Sequence, residues 1–346
     1  MKLQKHTNLS EHTSIKLGGV AKHFTQCDSV EELQEALEYA KENKLEVYIL
    51  AGGSNTIFPD KGFDGLVVKI DLKGVSYKGD LVTAAAGVGW DDLVQECIKK
   101  DLAGMEALSG IPGSVGATPI QNVGAYGQEV GDIIQSVKAI DRETLKEVEF
   151  TNKECEFGYR TSRFKTRDKG KYIITEVVYG LKKHGAVSVA YDQLKEKAQE
   201  LFGTLNLNLK QVREAVLLLR KSKSMVLDAK DPNSVSCGSF FVNPVLSQAE
   251  FEEFVGRWEK YGGDPKNIPA YEDGIKTKIS AAWLIEQTGY TKGHKHGKAG
   301  LSDNHNLAII NRGGTTAELL ELSQKIQDAV RAQFGITLER EPVVVE

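Results

Sequence analysis

The chain has 346 residues, with 44 basic and 48 acidic side chains and a net charge of −4. That length suits two or three domains around a large core. The near-balance of interspersed charge argues against nucleic acid or an anionic membrane as the main partner. The opening MKLQKHTNLS has neither a basic n-region nor an apolar h-region, so no signal peptide is expected. Four scattered cysteines without C-x-x-C spacing fit reduced cytosolic thiols better than disulfides or a zinc site.

Residues 29–43 read as a helix, with Ser29 and Glu32 in a capping-box pattern and Val30, Leu33, Leu37 and Ala40 as its apolar stripe. A short apolar strand (46–52) runs into Gly52-Gly53-Ser54-Asn55. Strands are expected at 65–70 and 81–87, and a helix at 91–100. Residues 133–150 read as a hairpin turning around 141–144, followed by a polar, aromatic-interleaved segment (151–165) and a strand at 172–181. A loop then becomes a helix ending near Gly203. A composition break at 204–210 suggests a domain boundary. Beyond it, helices are expected at 208–223, from Ser247 to about Tyr261, at 280–289 and from Thr315 to Gly335. The segment 301–311 closes on a strand, and the chain finishes as another. The alternation is too irregular for a TIM barrel or a doubly wound fold, so the fold class is α+β.

The most unusual stretch is 107–128, ALSGIPGSVGATPIQNVGAYGQ. It has no charged residue, five glycines and two prolines. Its glycines, prolines, Gln121 and Asn122 argue against a membrane span. Two readings stand: a backbone cradle for a large phosphate-bearing ligand, or a glycine-rich buried turn. Glycine- or polar-rich loops also occur at 52–56, 158–164 and 236–244. No GK[ST] follows either glycine loop, which argues against a P-loop, and Gly-Gly-Ser-Asn does not open a helix as a Rossmann fingerprint would. His294 and His296 lie in a glycine- and lysine-rich loop with no carboxylate close in sequence, so no metal site is expected there.

Six motifs occur in order: AGGSN (51–55), GIPGSVG (110–116), QNVGAYG (121–127), Tyr159-Arg160, GSFF (238–241) and LERE (338–341). Together, across roughly residues 10–342, they closely resemble the UDP-N-acetylenolpyruvoylglucosamine reductase family. The resemblance implies an FAD-binding region of the vanillyl-alcohol-oxidase (PCMH) type at 1–207, in two subdomains of about 1–70 and 71–207. It implies an α+β substrate-binding domain at 208–335 and a final strand, 336–346, returning to the FAD region. It implies non-covalent FAD, NADPH as hydride source and UDP-GlcNAc-enolpyruvate as substrate. The product would be UDP-N-acetylmuramate for bacterial peptidoglycan, made in the cytoplasm by a monomer.

By the same resemblance, Gly52, Gly53, Ser54 and Asn55 would meet the flavin pyrophosphate. Gly116, Gln121, Asn122, Gly124, Ala125 and Tyr126 would line the cofactor. Ser239 would give a proton to the substrate enolate, a base strong enough to take one from a hydroxyl. Arg160 would grip the substrate carboxylate. Glu341 would complete the set, with Glu339 two residues earlier in the strand as its competitor. Tyr191, Lys223, Asn243 and Glu286 would contact the substrate. Three departures from the family pattern bear on substrate contacts: Val242 stands where many relatives have lysine, 225–236 is an insertion, and Pro342 replaces a β-branched residue. The alternatives are an FAD oxidase of a small alcohol or sugar on the same fold, for which no covalent flavin anchor is found, and a catalytically silent nucleotide-binding relative.

Overall fold

Helix α1 (Val30–Glu42) begins where the Ser29 hydroxyl accepts a hydrogen bond from the Glu32 N–H. Its buried stripe of Leu33, Ala36, Leu37 and Ala40 packs on Leu66, Val68 and Ile70 of a four-stranded sheet. That sheet orders Gln4–Asn8, Val20–Cys27, Phe63–Ile70 and Val47–Leu50, the last three mutually parallel. The computed structural model describes residues 1–187 and 189–346.

An antiparallel sheet follows, ordered Glu147–Thr151, Ile134–Asp141, Tyr172–Gly180, Leu81–Ala85 and Val75–Lys78. Helix α2 (Trp90–Lys99) buries Trp90, Leu93, Val94, Cys97 and Ile98 in its core. The single-turn α3 (Asn152–Cys155) is closed by a Thr151–Glu154 capping box. Helices α4 (Asp192–Phe202) and α5 (Leu209–Ser222) pack together through Leu194, Ala198, Val212, Ala215 and Val216.

These elements belong to one compact unit, Met1–Thr7, Val20–Gly53 and Phe63–Val226. The boundary expected after residue 207 falls inside it. The apolar faces of α4 and α5 close on each other across the polar linker, so the composition break marks a helix–helix turn.

The other unit is Asn8–Gly19, Ser54–Gly62 and Leu227–Glu346. Helices α6 (Gln248–Lys260), α7 (Ala281–Gln287) and α8 (Thr316–Phe334) share its core with Ile15, Leu17 and Ile57 from the early segments. The Asp60 carboxylate accepts from the Thr316 and Ala317 N–H groups at 2.8 and 3.0 Å, so an early segment caps the start of α8. The last strand, Val343–Val344, pairs in parallel with Thr56–Ile57.

Among the described residues no helix is long and apolar enough to cross a membrane. All four cysteines are free and buried, and burial pushes the Cys97, Cys155 and Cys237 thiols up to about 12.

Candidate active site

In the first unit the uncharged stretch stands on two buried aromatic residues. Trp90 Nε1 donates to the Leu108 carbonyl at 3.0 Å, and the Tyr179 hydroxyl meets Thr118 Oγ1 at 2.9 Å. The Trp90 and Tyr179 rings lie 5.8 Å apart. The two glycine loops touch backbone to backbone. A Cβ at Gly52 would lie 2.7 Å from Gly113 Cα and 3.2 Å from Ser114 N, and one at Gly116 would lie 2.6 Å from Ala86 Cβ. No side chain fits at either place.

Three of the expected non-glycine site residues hold left-handed backbone: Asn122 (φ 48°), Tyr126 (φ 49°) and Arg160 (φ 52°). Such conformations in non-glycine residues concentrate at sites the surrounding structure over-determines, and the determinants are visible here. The buried Asn122 side chain donates to Glu129 Oε2 (2.7 Å) and to the Gly158 carbonyl (3.0 Å), and accepts from Gly131 N (2.8 Å). Asn122 is thus a strut joining the 121–131 loop to the Arg160 loop. Arg160 Nη2 donates to the Gly124 carbonyl at 2.6 Å, and Lys165 Nζ donates to the Arg160 carbonyl at 3.0 Å.

Tyr126 and Tyr191 meet edge to face, ring centroids 5.5 Å apart, and burial raises the Tyr126 hydroxyl above its ordinary range. Lys223 closes the C-terminus of α5 and its Nζ donates to Gln193 Oε1 at 2.6 Å. The structure therefore brings Tyr126, Tyr191 and Lys223 around the α4–α5 pair.

A further pair escaped the sequence reading. Arg213 of α5 forms a two-pronged ion pair with Asp91 of α2, at 2.6 and 2.7 Å, and Asp91 Oδ1 also accepts from Gly110 N at 2.5 Å. Burial opposes the charge on Asp91, yet Arg213 and the Gly110 N–H hold its carboxyl below its ordinary range. The legible signal was the 213, 217, 220 spacing, which puts Arg213, Leu217 and Arg220 on one helical face.

In the second unit, Ser239 and Glu341 lie on two segments that pair through main chain. Glu341 N donates to the Phe240 carbonyl at 2.9 Å and Val242 N to the Glu339 carbonyl at 3.0 Å, around an antiparallel bridge between Phe241 and Arg340. Phe240 N donates to the Leu307 carbonyl at 2.7 Å, and Phe240 and Phe241 are fully buried. Glu341 is half-buried and Glu339 exposed.

Asn55 lies in this unit. Its side chain donates to the Glu341 carbonyl at 3.2 Å and its own carbonyl accepts from Val343 N at 2.9 Å. Its visible role is to tether the final strand. Asn243 Oδ1 accepts from Ala281 N at 2.9 Å and so caps α7, and Glu286 lies exposed on that helix. The insertion folds into a 3-10 turn, Pro232–Ser234, and Asn233 Oδ1 accepts from Asp303 N at 3.0 Å. His294 packs against Tyr290, and His296 Nε2 lies 3.4 Å from Glu321.

The first unit fits an FAD diphosphate. The Gly52–Gly113 contact leaves main chain as the lining, Gly53 and Gly113 have positive φ, and the buried Ser114 hydroxyl has no hydrogen-bond partner among the described residues. Backbone N–H groups and a waiting hydroxyl are what phosphate oxygens require.

Comparison with known proteins agrees with this geometry. A sequence model of an FAD binding domain matches residues 21–145, and one described as the UDP-N-acetylenolpyruvoylglucosamine reductase C-terminal domain matches 231–345. The UDP-N-acetylenolpyruvoylglucosamine reductase of Thermobifida fusca is 42% identical over 349 residues, covering 99% of this chain and 97% of the relative. That of Streptomyces avermitilis is 42% identical over 341 residues, covering 97% and 93%. The crystal structure of the Thermus caldophilus enzyme superposes with a TM-score of 0.69 at 24% identity, covering all of both chains, which shows a shared fold. A flavin-type domain at one end, the reductase's own domain at the other and near-complete alignment with its relatives place this chain in the UDP-N-acetylenolpyruvoylglucosamine reductase family.

Proposed function

We propose that Arg160, Ser239 and Glu341 carry the family's reaction, the NADPH-dependent reduction of UDP-GlcNAc-enolpyruvate to UDP-N-acetylmuramate for peptidoglycan. FAD bound there would supply hydride drawn from NADPH, which the terminal carbon of the enolpyruvyl double bond would receive. The electron pair of that bond moves to the neighbouring carbon and its carboxylate as an enolate. The Ser239 hydroxyl gives its proton to that carbon. The Arg160 guanidinium, planar and two-pronged, holds the carboxylate as charge builds on it. Glu341 either polarises the enolate carboxylate by donating a hydrogen bond from its protonated form or relays a proton to Ser239.

Main chain around 52–53 and 113–114, with the Ser114 hydroxyl, would hold the diphosphate of FAD, while the Val115 and Gly116 N–H groups donate to the Val88 and Ala86 carbonyls and fix the loop behind it. Ser54, Gln121, Gly124, Ala125 and Tyr126 would complete the lining. Tyr191, Lys223, Asn243 and Glu286 would face the substrate. The observation that carries the reading is the direct main-chain pairing of the Ser239 segment with the Glu341 segment, which joins two of the three polar candidates from distant parts of the sequence.

The test is rapid-mixing flavin spectroscopy. NADPH should reduce the bound flavin of Ser239→Ala at the wild-type rate. Reoxidation by UDP-GlcNAc-enolpyruvate should slow by roughly 10²–10⁴-fold, the usual weight of a proton donor. Equal slowing of both halves would remove Ser239 from the proton-donor role. The same reading has the chain acting as a cytoplasmic monomer. A single species of monomer mass in sedimentation analysis is the expected result.

A further inference from the structure

The uncharged stretch is closed at both ends by one pair of side chains. Glu106, the residue just before it, is 1% exposed. Glu106 Oε2 accepts from Gly104 N at 2.7 Å, and Oε1 accepts from Gln128 Nε2 at 2.9 Å. Gln128 Oε1 in turn accepts from Ala107 N at 2.8 Å. Residues 104–107 and 128 are thereby clasped together. Gln128 belongs to the short strand Gln128–Glu129, which pairs with Gly124–Ala125 in the register Gln128 to Ala125 and Glu129 to Gly124. The Gly124 carbonyl is the acceptor for Arg160. The clasp therefore fixes the hairpin that presents both the 124–126 backbone and the anchor of the Arg160 side chain.

We infer that Glu106 and Gln128 are positioning residues: their clasp sets the shape of the 107–128 cradle and, through the Gly124 hairpin, the placement of Arg160. This rests on the reading of 107–128 as the FAD cradle. A buried polar pair is costly when one partner is wrong and close to neutral when both bonds are restored. The two residues differ only in which end carries the amide, so the chemistry can be reversed. In Glu106→Gln, the new amide N–H faces either the Gln128 amide or the Gly104 N–H, donor against donor. In Gln128→Glu, two carboxylates face each other. In the double variant E106Q/Q128E, the amide now at position 106 accepts from Gly104 N and donates to the carboxylate now at position 128. That carboxylate also accepts from Ala107 N. All three hydrogen bonds return with the direction of the central one inverted.

The experiment is FAD titration of the apo-protein by quenching of flavin fluorescence, with thermal melting run with and without FAD. E106Q and Q128E should each weaken FAD binding by about 10-fold or more, and the double variant should return to within about threefold of wild type. The melting-temperature gain on adding FAD should shrink in the single variants and recover in the double, since that gain reports binding and not baseline stability. Single variants that bind FAD like wild type would overturn the inference. So would a double variant no better than the weaker single. If a single variant fails to fold, the double decides: recovered binding supports the clasp and lost binding overturns it. Gly52→Val separates the two readings, because it drives a side chain into the cradle directly. If it leaves FAD binding unchanged, the cradle assignment fails. If it abolishes binding while E106Q does not affect it, the clasp alone fails.

Discussion

The loops around Arg160 and the segments around Ser239 and Glu341 hold their candidate residues in opposite ways. Arg160 sits on left-handed backbone, fixed by side-chain struts: Asn122 to Gly158, Arg160 to Gly124, Lys165 to Arg160. Ser239 and Glu341 lie on segments joined by main-chain hydrogen bonds, with Phe240 and Phe241 buried beneath. A main-chain ladder is indifferent to most side-chain substitutions, whereas a strut is lost with a single one. The first region should therefore be brittle and the second tolerant, except at the reacting groups.

The largest effect that tests this contrast is at Arg160 itself. Arg160→Lys keeps the charge but loses the fork and the geometry of the Gly124 bond, so kcat/KM should fall by roughly 10²–10³-fold with FAD still bound. Steady-state kinetics and flavin absorbance check it.

Next comes Asn122→Ala. It strands a buried N–H and two acceptors, and unfolding stability should drop by about 2–3 kcal/mol, read by urea denaturation. A loss near zero would remove the strut from the account.

Asn55→Ala is the matching test in the second region. It removes the half-buried hydrogen bond to the Glu341 carbonyl while the Val343-to-Asn55 and Glu341-to-Phe240 main-chain bonds remain. The expected loss of unfolding stability is only about 1 kcal/mol, read by urea denaturation. If Asn55→Ala proved as damaging as Asn122→Ala, the contrast would collapse.

The smallest expected effect is a pH dependence at Asp91. Its carboxyl is held below the ordinary range, so its contribution is present above the ordinary carboxylate pKa of about 4 and is lost as pH falls through the lower folded value. Wild type should thus exceed Asp91→Asn in stability at neutral pH, and the gap should close on acidification. Denaturation curves from neutral to acid pH read it directly. A gap that is flat or widens in acid would mean that the Arg213 pairing does not stabilise the fold.

Local chemistry made the helices legible. Ser247–Glu250 and Thr315–Glu318 form complete capping boxes, while Ser29 caps α1 through its hydroxyl and the Glu32 side chain accepts from Asp28 N instead of closing the box. The strands at Val20–Cys27, Val75–Lys78 and Ala270–Asp273 were not legible, because strand pairing is non-local and VAKHFTQC and AYED lack clean alternation. The break near 204–210 was real as a turn but not as a boundary, since the faces that α4 and α5 bury in each other are known only from packing. At the candidate site, glycine spacing showed where backbone must come close. Which of these residues also bond protein needed coordinates: Gly116 packs against Ala86, the Asn55 side chain donates to the Glu341 carbonyl, and Asn243 Oδ1 accepts from Ala281 N. Glu106 was missed because it lies one residue outside the uncharged stretch, and a lone buried carboxylate leaves no periodic trace.

The second unit is woven from three pieces of chain, with Asn8–Gly19 and Ser54–Gly62 waiting for Leu227–Glu346. On a ribosome this imposes an order of events. Residues 8–19 and 54–62 leave the exit tunnel early, carrying Ile15, Leu17 and Ile57 without the core that will bury them. At ~5–20 residues per second they wait on the order of tens of seconds before Val343–Val344 can pair with Thr56–Ile57. During that interval the nascent chain carries an unsatisfied edge at 56–57 and exposed apolar side chains, the kind of surface that holdase chaperones engage. Pairing of Thr56–Ile57 therefore waits for the synthesis of Val343–Val344.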